Sequence, residues 1–340
     1  MKRFLYLALG AMPFAVHAQP RVLHFTRTSG FDHGTRAVSF SLFQGIAQEL
    51  GLLVDDDASG APFSDPQVLG TYDAIVFANT SGDAILDAQQ RAHFETWVAN
   101  GGHVLGIHAA CDTYRHSSAN GGNTGTWDFF AELIGASVQQ TPNHVNGTPS
   151  YAIQHIGSHA STADLPDLWV KNEEYYYWEG GYYGPDNVEV LRVEQTVGPN
   201  GLVNSYDAPR AMSWTRSLPT GSRVFYTALG HAADNYVSDT LFRTHMMDAL
   251  AWLLEGTTSV PSVHGEAELH VLPNPASGEL TIVTDASWSG MPMQLVDAAG
   301  HVVLQGTLTG ERTTVPLNSL PAGSYLVCTP GAMRPIQIMR

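Results

Sequence analysis

The pentapeptide Gly106-Ile107-His108-Ala109-Ala110 closes an apolar run, His103-Val104-Leu105. A strand that ends in glycine, a spacer, a raised residue, a spacer and a small residue is the pattern of a nucleophile elbow. That sharp strand-to-helix turn lifts one side chain above the sheet and crowds both of its neighbours, which must be small. The raised residue is His108, where a hydrolase carries Ser or Cys. Imidazole does not hold a lasting acyl or thioester intermediate as those nucleophiles do. The pattern therefore predicts a hydrolase- or amidotransferase-like scaffold whose chemistry has been changed or lost. A helix N-terminus would activate Cys111, but it lies three positions past the raised residue and would point elsewhere. Glutamine amidotransfer also needs a His-x-Glu pair late in its domain. Here His93-Phe94-Glu95 precedes the elbow and His264-Gly265-Glu266 falls in a linker region. The chain is not expected to be a glutamine amidotransferase.

In an open parallel sheet, ligands bind beyond the carboxyl ends of the strands. Four expected strand ends offer suitable groups: Thr28 to His33, Asn79-Thr80-Ser81-Gly82, His108 with Asp112, and Leu229-Gly230-His231. Imidazole titrates near neutral pH, so His108 or His231 is expected to act as general base or acid. Glu174 completes that catalytic set by orienting the substrate or joining a metal. His33, Asn79 and Asp112 are expected to contact the substrate. His33, His108 and His231 could instead gather with Glu173, Glu174 or Asp112 around a divalent metal such as zinc, although no local His-Glu-x-x-His spacing marks such a site. His103 lies inside a strand and reads as structural.

Glu173-Glu174-Tyr175-Tyr176-Tyr177-Trp178 and Tyr182-Tyr183 place six aromatics within nine residues, beside two carboxylates. An exposed Tyr or Trp stacks on the apolar face of a sugar ring while carboxylates take its hydroxyls, so Tyr175 and Trp178 are expected sugar contacts. So many rings are not expected to fit one core, and some should be exposed. Adjacent residues on a strand face opposite ways, so Glu173 and Glu174 are not expected to form the acid–base pair of a glycosidase. Trp127 and Trp214 read as core.

The elements that would position these groups alternate. Arg21–Phe25 reads as a first strand, Arg36–Leu50 as a helix, Leu52-Leu53-Val54 as a strand and 72–78 as a buried parallel strand. Residues 88–99 read as a helix stopped by Asn100-Gly101-Gly102, followed by the strand and elbow at 103–110. Strands at 188–193 and 223–228 and a helix at 239–254, which Gly256 can cap, complete residues 20–256. This order predicts an α/β fold with a doubly wound, mainly parallel sheet.

Of the 340 residues only 14% are charged, against about 25% in average soluble proteins. A formal charge of −16 and no basic stripe exclude nucleic acid and an anionic membrane surface as partners. A neutral sugar fits better. Lys2 and Arg3, the apolar stretch Phe4 to Val16 and the small residues of Val16-His17-Ala18 form a signal peptide over residues 1–18. That apolar stretch is too short to span a membrane, and no other segment approaches a span. Cys111 and Cys328 fall in separate regions and are not expected to pair.

Residues 257–268 are a linker by composition, and 269–340 change to short alternating strands with turns, as in a small all-β sandwich. Leu272-Pro273-Asn274-Pro275-Ala276, Val296-Asp297-Ala298-Ala299-Gly300 and Leu320-Pro321-Ala322-Gly323-Ser324-Tyr325 resemble the type A C-terminal sorting domain of type IX secretion substrates in Bacteroidetes-type bacteria. That resemblance implies passage through the periplasm, delivery to the surface or exterior, and the type IX machinery as a partner.

Gly30-Phe31-Asp32-His33, the block from Gly106 to Thr113, Glu173-Glu174-Tyr175 and the block from Arg223 to His231 resemble the ThuA-like (trehalose utilisation) family, in its order. Glu174 aligns with the acidic residue that the family places before its aromatic. The resemblance implies a flavodoxin-like, class I glutamine amidotransferase-like fold without the amidotransferase nucleophile, and an association with disaccharide utilisation. The expected function is action on a carbohydrate or glycan by an exported protein, as a hydrolase or lyase. The rivals are a non-catalytic carbohydrate-binding module of the same fold and a passive part of a surface complex.

Overall fold

The structure is a computed structural model that describes residues 19–116, 126–255, 269–284, 288–297, 301–329 and 332–339. The expected signal peptide and linker lie outside the described residues. The chain divides into two compact units at Thr257/Thr258.

In the first unit the order is β1 (Arg21–Phe25), α1 (Arg36–Leu50), β2 (Leu53–Asp57), α2 (Pro66–Leu69), β3 (Ala74–Ala78), α3 (Ala88–Ala99) and β4 (His103–Ile107). It continues with α4 (Asp128–Ile134), β5 (Ala136–Val138), β6 (Ser150–His155), β7 (Leu168–Asn172) and β8 (Trp178–Tyr183). Then come β9 (Val188–Val193), β10 (Arg210–Ser217), β11 (Arg223–Thr227), α5 (Ala233–Val237) and α6 (Thr240–Leu254). Nine of these strands form one sheet in the order β2-β1-β3-β4-β11-β10-β9-β6-β7.

The half from β2 to β11 is parallel, as the sequence predicts. From β11 to β7 every pairing is antiparallel, an extension that the sequence reading did not anticipate. Every residue of β3 and β4 is buried, as befits central parallel strands covered on both faces. Strand order reverses direction between β1 and β3, so the crossover helices on either side of that point cover opposite faces.

Local signals set the helix ends. Gly51 closes α1 in the left-handed conformation, and Asp87 and Gln90 form a capping box at the start of α3. The Asp239 carboxylate accepts from the Phe242 N–H and starts α6. His103 is structural, as expected: it is buried and its Nδ1 accepts from the Arg223 N–H at 3.0 Å.

The second unit carries β12 (His270–Ser277), β13 (Glu279–Val283), β14 (Pro292–Asp297), β15 (Val302–Thr307), β16 (Arg312–Pro316), β17 (Gly323–Thr329) and β18 (Ala332–Ile338). Its pairings are antiparallel except for the contact of β12 with β18. An irregularity between Leu272 and Ser277 interrupts the pairing of β12 with β13, and within it Ala276 pairs with Ile338 of β18. Leu280, Ile282, Leu295, Val327 and Ile336 fill its core. Both cysteines are free thiols, and no helix of the described residues is long and apolar enough to cross a membrane.

Against the sheet interior, His245 on α6 donates from Nδ1 to the Ser161 carbonyl at 2.8 Å and is fully buried. Burial pushes its pKa down to about 4, whereas in the unfolded chain histidine titrates near 6.5. The unfolded state therefore takes up the extra proton between these values. The contribution of His245 to stability is complete above about pH 6.5 and falls by up to about 3 kcal/mol as pH drops towards 4. Urea unfolding at pH 7.5 and 4.5 should show a smaller acid loss in His245→Gln than in the wild type. Equal losses in the two proteins would refute the assignment.

Candidate functional site

The strands β1, β3, β4 and β11 lie side by side and run parallel, so their carboxyl ends share one edge. The residues that follow them meet there, as the strand-end rule predicts. His108 sits at the elbow with φ 46°, in the left-handed region that a non-glycine residue seldom adopts. Its small neighbours are required. A Cβ on Gly106 would lie 3.0 Å from both Ile134 and Tyr226, and 3.3 Å from the Ala110 methyl. The Tyr226 hydroxyl donates to the His108 carbonyl at 2.7 Å.

The ring of His108 is fully buried and lies 4.5 Å from the Tyr176 ring in a stacked pair. Its Nδ1 donates to the Ala228 carbonyl at 2.7 Å, just beyond β11. A carbonyl can only accept, so Nδ1 carries the proton and Nε2 presents its lone pair to the site.

Glu174 arrives from the opposite direction. The chain leaves β7 at the far edge of the sheet and returns over the strand ends as an irregular segment. Backbone bonds from Val145 N to Tyr175 O and from Tyr177 N to Asn143 O hold it, and Arg210 donates to the Tyr176 carbonyl at 2.7 Å. Nε2 of His108 and Nδ1 of His231 each lie 3.3 Å from Oε2 of Glu174, while Nε2 of His33 is 4.0 Å away. His144 stands 3.2 Å from the other oxygen, Oε1.

Burial alone would raise the Glu174 pKa. The imidazoles gathered around it, His231 and His33 among them, outweigh that effect and hold the carboxyl well below the usual carboxylate range. The pKa of His231 is raised by its bond to Glu174, against its own burial. That of His33 is lowered, first by burial.

Glu173 does different work. It is buried, and its two oxygens accept from the backbone N–H groups of Gly230 at 2.8 Å, His231 at 3.1 Å and Glu174 at 3.0 Å. Gly230 has φ 110°, and a Cβ there would lie 2.8 Å from the Tyr236 hydroxyl and 2.9 Å from Ile107. The carboxylate of Glu173 thus fixes a turn that only glycine fits, and with it the direction of His231.

Other expectations are corrected. Asn79 is 3% exposed, and its amide donates to Thr35, the Gly230 carbonyl and the Tyr236 hydroxyl. It ties loops together and has no face for a substrate. Tyr183 is exposed, as expected of some ring in the run, but Tyr175, Tyr176 and Tyr177 are all buried, against the expectation for Tyr175. The segment is irregular rather than a regular strand, so its successive rings enter different surroundings. Tyr175 donates to the Lys171 carbonyl, Tyr176 covers His108 and Tyr177 donates to Asp207. Trp178 is half-buried against Trp214 and donates to the Ala211 carbonyl. Neither Tyr175 nor Trp178 forms a sugar platform. Asp112 is half-buried and pairs with Arg115 at 2.9 Å; burial raises its pKa and Arg115 opposes the rise. Cys111 is buried and its thiol is pushed well up by that burial. It therefore offers no thiolate in place of the missing nucleophile.

Two features had no signal in the sequence reading. His144 comes from the irregular stretch between β5 and β6, where no strand end announced it. Phe31 belongs to a motif already singled out but was given no role. It is 67% exposed and stands edge-on to His33 at 4.8 Å.

The model of the trehalose utilisation family matches residues 21–253, more than half of the chain. The chain belongs to the ThuA family. Residues 270–332 of the same chain match the secretion system C-terminal sorting domain. That domain directs export by type IX secretion to the cell surface or exterior. Among solved structures, a ThuA-like protein of Bacteroides uniformis is 18% identical with a TM-score of 0.55, covering 72% of this chain and 94% of its own. A ThuA-like protein of Parabacteroides merdae is 17% identical with a TM-score of 0.52 and the same coverages, 72% and 94%. A glutamine amidotransferase of Thermotoga maritima is 10% identical with a TM-score of 0.43, covering 70% of this chain and 100% of its own. No curated protein matches the chain. At these identities the two ThuA-like structures share the fold of the ThuA domain.

Within the ThuA domain, Glu173→Ala leaves three interior N–H groups without their acceptor. We expect a loss of about 2–4 kcal/mol in denaturant unfolding. Stability unchanged to within about 0.5 kcal/mol would show that water or another group replaces the carboxylate.

Proposed function

We propose that the ThuA domain is an enzyme that acts on a carbohydrate at the strand-end centre, by acid–base chemistry of its imidazoles. The observation that carries this reading is the gathering of His33, His108, His144 and His231 around the one carboxylate of Glu174. A partly exposed imidazole beside a carboxylate kept ionised can take a proton from a sugar hydroxyl and return it. His231 and His144 are the exposed members, with 26% and 29% of their side chains accessible. His108 is fully buried and acts through Glu174 and His231. Phe31 stands exposed at the mouth and supplies an apolar face of the kind on which a sugar ring stacks. Family membership supports a saccharide substrate, and export supports an extracellular glycan over a cytosolic intermediate.

Product formation from trehalose, other disaccharides and a glycan panel tests the reading. We expect His231→Ala and His108→Ala each to lower turnover about 10²–10⁴-fold while sugar binding persists. Binding that weakens in proportion, with no product from any glycan, would make the domain a binding module. Absence of affinity for every glycan would reject a carbohydrate role.

The sorting domain has a separate test. Deleting residues 269–340 should leave the ThuA domain in the periplasm of a host with type IX secretion, read by fractionation. Undiminished surface delivery after that deletion would contradict the assignment.

A further inference from the structure

The donor groups of the centre outnumber its protons. Nδ1 of His108 donates its N–H to the Ala228 carbonyl, so in the neutral ring Nε2 is a bare lone pair. Nδ1 of His231 lies 3.3 Å from that lone pair and 3.3 Å from Oε2 of Glu174. A single N–H there faces two acceptors at once. Both distances exceed the roughly 2.7–2.9 Å of a charge-assisted hydrogen bond. Nε2 of His33 points at the same oxygen from 4.0 Å. Lone pairs and a negative charge thus converge with too few donors between them, an arrangement that a cation resolves.

The spacing fits one. The ligand atoms of His33, His108, Glu174 and His231 all lie within 4.8 Å of one another. Nitrogen and oxygen ligands at the usual zinc bond lengths of roughly 2.0–2.2 Å stand about 3.3–3.6 Å apart around a tetrahedron. The three contacts among His108, His231 and Glu174 are each 3.3 Å. His33 stands slightly farther out, and its Nδ1 has no hydrogen-bond partner among the described residues. No protein hydrogen bond at that nitrogen opposes a small turn of the ring inward.

The surroundings have the form of a metal centre's supports, in which a ligating imidazole gives its other N–H to a carbonyl and a ligating carboxylate is itself hydrogen-bonded. His108 does the first with Ala228, and His144 stands 3.2 Å from the free oxygen of Glu174. Glu173 holds the backbone N–H groups of both Glu174 and His231, and so positions two of the four ligands together.

We infer that His33, His108, His231 and Glu174 bind one divalent transition-metal ion, zinc by donor set and spacing. The inference goes beyond the carbohydrate reading and stands without it. With the ion bound, His108 and His231 are ligands. Of the two exposed imidazoles, His144 is the one left to exchange protons.

The test is elemental analysis of the full-length chain, purified without a polyhistidine tag. Removal of the ion with a chelator and reloading with Co²⁺ follows. We expect stoichiometric zinc and, after reloading, the intense visible bands of four-coordinate Co²⁺. His33→Ala, His231→Ala and Glu174→Gln should each lose the metal while keeping a native circular dichroism spectrum, and His301→Ala in the second unit should retain it. If the variants do not fold, the Co²⁺ titration of the wild type decides. Neither zinc nor Co²⁺ uptake by the wild type, or metal retained in all three folded ligand variants, would overturn the inference. Sugar turnover by a wild type that holds no zinc and takes up no Co²⁺ would overturn it while sparing the carbohydrate reading. Stoichiometric metal with no sugar activity would do the reverse.

Discussion

One hydrogen bond organises the strand-end edge, the one from Nδ1 of His108 to the Ala228 carbonyl. It joins the end of β4 to the end of β11 and selects the tautomer of the imidazole in the same act. With that proton committed, the opposite nitrogen can only accept, and the elbow aims it at Glu174. The left-handed backbone at His108, the absence of a side chain at Gly106 and the Tyr226 hydroxyl on the His108 carbonyl all hold that one ring. A serine or cysteine raised on the same turn would present a nucleophile. An imidazole raised there presents a lone pair fixed in direction, suited to binding and to proton transfer.

The two adjacent glutamates show how an irregular segment divides labour that a strand could not. On a strand, Glu173 and Glu174 would face opposite sides of the sheet. In the segment that returns over the strand ends, Glu173 turns to the backbone of Gly230 and His231 while Glu174 turns to their side-chain surroundings. One carboxylate is spent on three interior N–H groups, and the other keeps both oxygens for imidazoles. The aromatic run follows the same logic. The rings of Tyr175, Tyr176 and Tyr177 are buried in different places, and the ring of Tyr176 serves as a lid on His108.

Much of this was legible in the sequence where local chemistry decides. The spans of α1 and α3 follow from a left-handed glycine after one and a capping box before the other. Central strands declare themselves by unbroken apolar runs, and three site histidines by their place just after such strands. Glu174 came from a family motif. The antiparallel half of the sheet was harder, because its pairings join segments far apart in the chain and no short turn marks them all. The sequence could not separate Glu173 from Glu174, since their roles depend on which backbone N–H groups lie across the edge. His144 belongs to a stretch without periodicity, and only the bridge of that residue to Tyr176 brings it to the site. Asn79 misled because a strand-end asparagine is as useful for tying loops as for touching a ligand.

The bond between His108 and Ala228 spans 120 positions of the chain. The other contacts of the centre likewise join remote segments, from His33 in the first crossover to His231 after the last strand. No single hairpin or βαβ unit contains the centre. Contacts of such separation are closed late, after the loop-closure entropy has been met by the rest of the sheet. A chain held extended during export has every residue of the centre and no centre. The site comes into being only when β11 takes its place beside β4, so the maturity of the fold and the competence of the site arrive together.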